Sequence, residues 1–387
     1  MPFIETFLKS KVKSRVTSWG KAIMRLCISD SVPWDYNVET PYHRAFGGMQ
    51  SAACYLSAAL ARQGHAVSLL THTNRPGTWL GVECLSWNDA DSIDRMRRTS
   101  FDAIVSLTAN PFPLRELFGQ AVPIHLWTGH PDHQPPVQCL IHEQVRDQWD
   151  GFVFVSEWQR NCYIARFGLE PARTAIIRNA IAPVFENRFA DMDAMVSAKA
   201  SIPCRLAYTS SPDRGLQLLM AMFTLLTRPT HLHVYSSMAL YVPGEADVPY
   251  RELYEQCRTT PSVEYFGAIP QPELATSLES VSILAYPNIV PETGCITAME
   301  AMASGCFVVT SNLGALAETT EGFASLIDVD DNWYSYAQKY IAALEQAVDF
   351  TRSEAGLRHL WRQVQHINMT CTWQVRAKQW VSLLGRE

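Results

Sequence analysis

Apolar, strand-like runs alternate with helix-patterned segments from residue 22 onward, and the alternation is interrupted once and then restarts. The first set of runs reads AIMRLCIS, AVSLLT, VECLSW, DAIVSL, VPIHLW, FVFVS and TAIIRN, with helices expected at 48–63, 136–148 and 157–167. The second set reads CRLAYTS, HLHVYS, SVEYFG, VSILAYP, CFVVTS and ASLIDV, with helices opening near Gly215, Pro272 and Ile296. Such alternation is the signature of parallel sheets covered on both faces. A chain of 387 residues, 47% of them hydrophobic, is long enough to bury two such cores. The expected fold is therefore two Rossmann-like, doubly wound α/β domains, with the polar, proline-containing stretch 183–203 as the hinge. Facing domains of this kind leave a cleft at the carboxyl ends of both sheets, where open α/β sheets bind ligands.

Four strand-to-helix junctions carry residues suited to that cleft. In HRAFGGMQ, Gly47 and Gly48 precede a helix and let the backbone approach an anion, although an ordinary glycine loop has the same composition. In LWTGHPDHQ, His130 lies just beyond a strand, where a neutral imidazole bonds a sugar hydroxyl or polarises a leaving group. A plain loop histidine fits the same position. In YTSSPDRGLQ, the strand ends at Ser210 or Ser211, and Arg214 opens the next helix with its fork toward the cleft. A diphosphate would accept paired bonds there, whereas a surface carboxylate is the everyday partner. In PETGCITAMEAMASGC, Glu292 and Glu300 flank a helix start with seven residues between them. Thr293, Gly294, Cys295 and Ile296 offer amide groups at that start. The backbones of the two glutamates stand about 12 Å apart at helical rise. That spacing does not favour a shared proton and suits two ends of one long polyhydroxy ligand.

Several classes of function are excluded or demoted. A formal charge of −6 argues against a general nucleic-acid binder. Ten cysteines without a CxxC pair read as reduced thiols in a cytosolic protein. No apolar run reaches membrane-spanning length. The histidines at 125, 130, 133 and 142 with Cys139 match no zinc spacing, so no metal is expected in the site. The absence of a GxGxxG fingerprint at the first strand demotes a nicotinamide dehydrogenase. Residues 1–20 form a basic amphipathic pattern, which fits either a helix packed on its own domain or peripheral contact with an anionic membrane.

The segment PETGCITAMEAMASGCFVVTSNLGALAET resembles the retaining glycosyltransferases of family four, with their Glu-x7-Glu motif and GT-B fold. The likeness extends to GGMQ, LARQGHAVSLLT, FVSEWQRNCYIARFGL, SSPDRGL and CTWQVRAKQWVSLL, covering residues 22 to 384 or so. It implies a first, acceptor-side domain of residues 1–182 plus 368–387, with the C-terminal helix crossing back to it, and a donor-binding domain of 203–367. It also implies metal-independent sugar transfer from a nucleoside-diphosphate sugar, UDP or GDP, to a glycan or lipid-linked acceptor with retained configuration. No cofactor is expected beyond that donor. By this resemblance Glu292 holds the donor sugar and Glu300 the ribose. Arg214, with Ser210 upstream, and the amides of 293–296 stabilise the diphosphate. Gly47 and Gly48 approach the phosphates, His130 contacts the sugar, and Ala268 and Ile269 touch the base. The chain departs from the family pattern at Cys295, at Gln50, and in offering Arg214 as a single basic residue. An epimerase or hydrolase of nucleotide sugars, and a non-catalytic scaffold on the same fold, are the competing expectations.

Overall fold

The computed structural model describes residues 23–240 and 245–385. The basic segment 1–20 and its membrane expectation lie outside the described residues. Eight strands form a first sheet: β1 Arg25–Ser29, β2 Ala66–Thr71, β3 Gly77–Trp79, β4 Val82–Ser86, β5 Ala103–Ser106, β6 Ile124–Thr128, β7 Gly151–Phe154 and β8 Thr174–Ile176. Their order is β3-β4-β2-β1-β5-β6-β7-β8. Six more form a second: β9 Cys204–Tyr208, β10 Thr230–Val234, β11 Val263–Tyr265, β12 Ile283–Tyr286, β13 Phe307–Ser311 and β14 Ser325–Ile327. These run β11-β10-β9-β12-β13-β14. Every pairing is parallel except β3 with β4. The expected pair of doubly wound units is what forms.

Period-two alternation explains why the central strands need apolar residues throughout. On β1, Leu26 and Ile28 enter one core while Cys27 enters the core on the opposite face. The β3 edge strand escapes the sequence pattern because it is three residues long. The helix expected at 136–148 is instead a 3-10 turn, Pro135–Ile141, followed by a four-residue helix, Glu143–Arg146. Pro135 and Pro136 remove amide donors there, and His142 between the two pieces is extended.

The stretch 183–203 is more than a hinge. It contains the helix Met192–Lys199, capped by the Asp191 carboxylate accepting from the Ala194 amide at 2.8 Å. The buried Lys199 ammonium donates to the carbonyls of Leu278, Val281 and Ser304, fixing this helix to the second unit. A polar composition concealed it.

The C-terminal helix Trp373–Leu384 crosses back to the first sheet and packs on the helix Gly48–Arg62. Trp127 of β6 meets the Trp373 ring at 6.2 Å and the Trp380 ring at 5.4 Å, both edge-on. Gln63 donates to the Gln374 carbonyl at 2.9 Å, and Arg376 donates to the Asn179 carbonyl at 3.0 Å.

Candidate functional site

A cleft of about 620 Å³ opens between the carboxyl ends of the two sheets. Of the expected residues, Gly48, His130, Ser210, Arg214, Ala268, Ile269, Glu292, Thr293, Gly294, Cys295, Ile296 and Glu300 all line it. Gly47 stands one step back, as the extended residue that begins the helix Gly48–Arg62. A side chain at Gly47 would come within 3.0 Å of Gln50 Oε1 and 3.4 Å of the Trp34 ring.

Glu292 follows β12 and is held from two sides. Arg214 donates to its Oε1 at 2.8 Å, and the Tyr286 hydroxyl donates to the same oxygen at 2.5 Å. Ser210 in turn donates to the Tyr286 hydroxyl at 3.4 Å. Burial, then the adjoining Glu292 charge, raises the Tyr286 pKa, so the phenol keeps its proton and remains a donor. The Glu292 main chain is pinned as well: its carbonyl accepts from the Ala315 amide at 2.7 Å, and it bridges to Gly314. Gly314 has φ +61°, and a Cβ there would lie 2.3 Å from the Glu292 carbonyl oxygen. Only glycine permits that approach.

Arg214 is positioned by its neighbour. Gly215 adopts φ +107°, and a Cβ would meet the Pro287 carbonyl oxygen at 2.1 Å. The turn Pro212–Arg214 therefore sits directly against the end of β12, bringing the guanidinium to Glu292.

Glu300 lies on the helix Ile296–Ala303 and is only 4% exposed, not a solvated face residue. Its Oε1 accepts from the Ala182 amide at 3.2 Å, and Gln271 supplies a side-chain bond. Burial lifts its pKa to about 8, against the lowering effect of those two bonds. At neutral pH it is a largely protonated carboxyl, able to donate one bond and accept others.

His130 comes from the first unit. Its backbone is locked by the Thr128 hydroxyl below its amide and by Gln159 and Tyr163 donating to its carbonyl at 2.9 Å each. Its Nδ1 faces Gln134 Oε1 at 2.8 Å, an acceptor, so Nδ1 carries the proton and Nε2 presents a lone pair.

Several site residues were not foreseen. Asp30 directly follows β1, is fully buried and lines the cleft. Its carboxylate accepts from Tyr36 at 2.9 Å, Gln50 at 3.1 Å, Thr108 at 3.1 Å and the Val32 amide at 3.0 Å. The acid that the glycine loop lacks at Gln50 is thus present as that residue's partner. A Cβ at Gly129 would sit 2.6 Å from Met49 Sδ, so that thioether lies directly against the glycine. Across the cleft floor, Thr293 donates to the Gly129 carbonyl at 2.6 Å and Asn179 to the Gly294 carbonyl at 3.0 Å. The carboxylate of Glu318 accepts from the amides of Glu157 and Trp158 at 2.9 and 2.7 Å, at the start of the helix Glu157–Phe167. Among the described lining residues Arg214 is the single arginine or lysine, against the carboxyls of Asp30, Asp213, Glu292 and Glu300.

The chain is similar over most of its length to solved glycosyltransferase structures. It superposes on a glycosyltransferase from Rickettsia africae with a TM-score of 0.69 at 12% identity, covering 93% of this chain and 98% of that one. The sucrose-phosphate synthase of Thermosynechococcus elongatus gives 0.68 at 17%, covering 94% and 99%. Anabaena HepE in complex with UDP-glucose gives 0.66 at 12%, covering 94% and 100%. The fold is GT-B. Residues 204–346, which include all six strands of the second sheet, match the family described as Glycosyl transferases group 1. No curated protein matches the chain.

Proposed function

We propose that this GT-B protein transfers a sugar from a nucleoside-diphosphate sugar to a glycan or lipid-linked acceptor, with retained anomeric configuration. The observation that carries the proposal is the Arg214–Glu292 pair beside the buried Glu300, bracketing one helix start in the interdomain cleft. The group 1 match of residues 204–346 supports it, as does the structural likeness to HepE, which was solved with UDP-glucose.

In this reading the sugar's hydroxyls meet Glu292 Oε2, since Oε1 is occupied by Arg214 and Tyr286. The neutral Glu300 carboxyl pairs with the ribose diol, donating to one hydroxyl and accepting from the other. The diphosphate lies over Arg214 and the amides opening the helix Ile296–Ala303. As the bond from the anomeric carbon to the phosphate oxygen breaks, charge grows on that oxygen, and Arg214 stabilises it. The acceptor oxygen bonds the anomeric carbon on the same face and passes its proton to the departing phosphate. His130 Nε2 accepts from a sugar hydroxyl, and Ala268 and Ile269 pack on the base. This electrostatic role is assigned to side chain and helix, so transfer without added metal is part of the proposal. Residues 1–182 plus 368–387 are proposed as the acceptor side and 203–367 as the donor side. The basic pattern of residues 1–20 suits an acceptor held at an anionic membrane surface. Among the described residues no helix is long and apolar enough to cross a membrane.

The test is a thermal-shift and hydrolysis panel of UDP-, GDP- and ADP-sugars, with chelator, on wild type and Glu292→Ala. Stabilisation by donors of one base, with slow sugar release lost in the variant, is the expected result. Well-folded protein stabilised by none of them would overturn the reading. Binding without release or transfer in any acceptor screen would leave a scaffold.

A further inference from the structure

Away from the cleft, β10 carries His231 and His233 two residues apart, so strand alternation sends both imidazoles to one face of the sheet. The intervening Leu232 and the flanking Thr230 and Val234 point into the core. Register places His233 beside Glu264 of the edge strand β11. Both imidazole Nε2 atoms lie 3.9 Å from the same carboxylate oxygen, Glu264 Oε2. The three ligand atoms all fall within 4.8 Å of one another.

The surroundings fit a ligand set better than a chance polar stripe. His233 Nδ1 stands 3.3 Å from the Tyr235 hydroxyl, a partner that orients the ring and leaves Nε2 toward Glu264. His231 Nε2 is a buried atom without a hydrogen bond among the described residues, and buried ring nitrogens rarely stay unpaired. A pocket of about 350 Å³ adjoins the group, with Ser201, Ser277 and Ser280 on its wall.

We propose that His231, His233 and Glu264 bind one divalent transition-metal ion, of the zinc class, with the fourth position open to water in this pocket. Two imidazoles and one carboxylate are a ligand set that zinc accepts in tetrahedral sites. At bond lengths of about 2.1 Å, tetrahedral donors stand about 3.4 Å apart. Closing to that geometry asks for a swing of Glu264, whose side chain is 55% exposed, from 3.9 Å, and for the two imidazoles, with ring centroids 5.2 Å apart, to turn toward each other. The ion would pin the edge strand β11 to β10. None of the three ligands lines the donor cleft, so the site is independent of the proposed transfer; Tyr235 borders both spaces. Among the described residues lining this pocket, Arg205, paired in register with His231, is the one arginine or lysine that opposes a cation.

The experiment uses the full chain, stripped with chelator and dialysed, then titrated with Zn²⁺ by calorimetry and with Co²⁺ by visible absorption. The expected result is a tetrahedral Co²⁺ spectrum without thiolate charge-transfer bands, and a Zn²⁺-dependent rise in Tm. Both are lost in His231→Gln and in His233→Gln, and Tyr235→Phe weakens binding about tenfold. Glu264→Gln, on the exposed edge, serves if a histidine variant fails to fold, and it too should lose the Co²⁺ spectrum. Folded wild type that takes up no metal would overturn the proposal. So would uptake unchanged in these variants, uptake with thiolate bands, or stabilisation by inorganic phosphate and not by Zn²⁺.

Discussion

Arg214 and Glu292 meet at 2.8 Å in the cleft, and the carboxylate oxygen they share also takes the Tyr286 hydroxyl. The pair is half-sheltered, with side-chain exposures of 21% and 13%. In the proposed transfer one cation thus has two tasks, orienting the glutamate and facing the leaving group. Arg214→Ala is expected to lower kcat/KM for sugar transfer by about 10²–10³, the scale for removing one charge-stabilising donor. Arg214→Lys should recover little, since a point charge cannot serve both partners at once. Steady-state kinetics with the donor identified by the panel checks both.

The buried Glu300 predicts a pH dependence of stability. Its folded pKa of about 8 exceeds the ordinary glutamate value of 4.5. Between those values the folded state holds a proton that the unfolded chain has released, so stability falls as pH rises from 4.5 to 8. Below 4.5 the group is neutral in both states and makes no difference. Glu300→Gln should therefore be more stable than wild type at pH 8.5, by on the order of a few kcal/mol, and the advantage should vanish near pH 4.5. Urea unfolding at the two pH values reads the difference. An equal offset at both would mean that the carboxyl does not titrate as described.

Gly294 lies where the two units touch. A Cβ there would stand 2.8 Å from Val155 Cγ2. Gly294→Ala is expected to destabilise this contact between the units by about 1–3 kcal/mol, the usual scale for overpacking. Val155→Ala should restore most of that loss in the double variant. A double-mutant cycle by thermal unfolding measures the coupling, and additive effects would place the strain elsewhere.

Glu318 ties the second unit to the helix Glu157–Phe167 through two charge-assisted bonds. Glu318→Ala removes the acceptor for both amides and the favourable charge at that helix start. A loss of about 1–3 kcal/mol is expected, larger at low salt. A salt series of denaturant midpoints for wild type and variant tests it.

The fold could be read from the chain because its central strands are almost wholly apolar. All four residues of β12 are buried, for example, a short apolar run closed by Pro287 that reads as a strand covered on both faces. The Glu292–Glu300 segment was visible for a related reason: it directly follows such a strand. What escaped notice depends on partners distant in sequence. Gly129 packs against Met49, and Gly314 is needed because of Glu292. Glu318 gains its role from amides 160 and 161 residues earlier in the chain. Asp30 was within reach, since it directly follows a strand at the cleft, but its four hydrogen bonds come from loops and a helix that composition cannot bring together. The helix Met192–Lys199 is the converse case: its polar sequence reads as a hinge, because the three carbonyls that hold its lysine are distant in the chain.

The crossing helix Trp373–Leu384 also sets an order of events during synthesis. Trp127 and Tyr55 belong to the first sheet's unit, yet their covering ring Trp373 is made only after the entire second sheet. Until then the emerging first unit presents an unsealed aromatic face to its surroundings, a surface on which nascent chains associate wrongly or recruit chaperones. A helix translated after the second sheet completes the unit translated before that sheet.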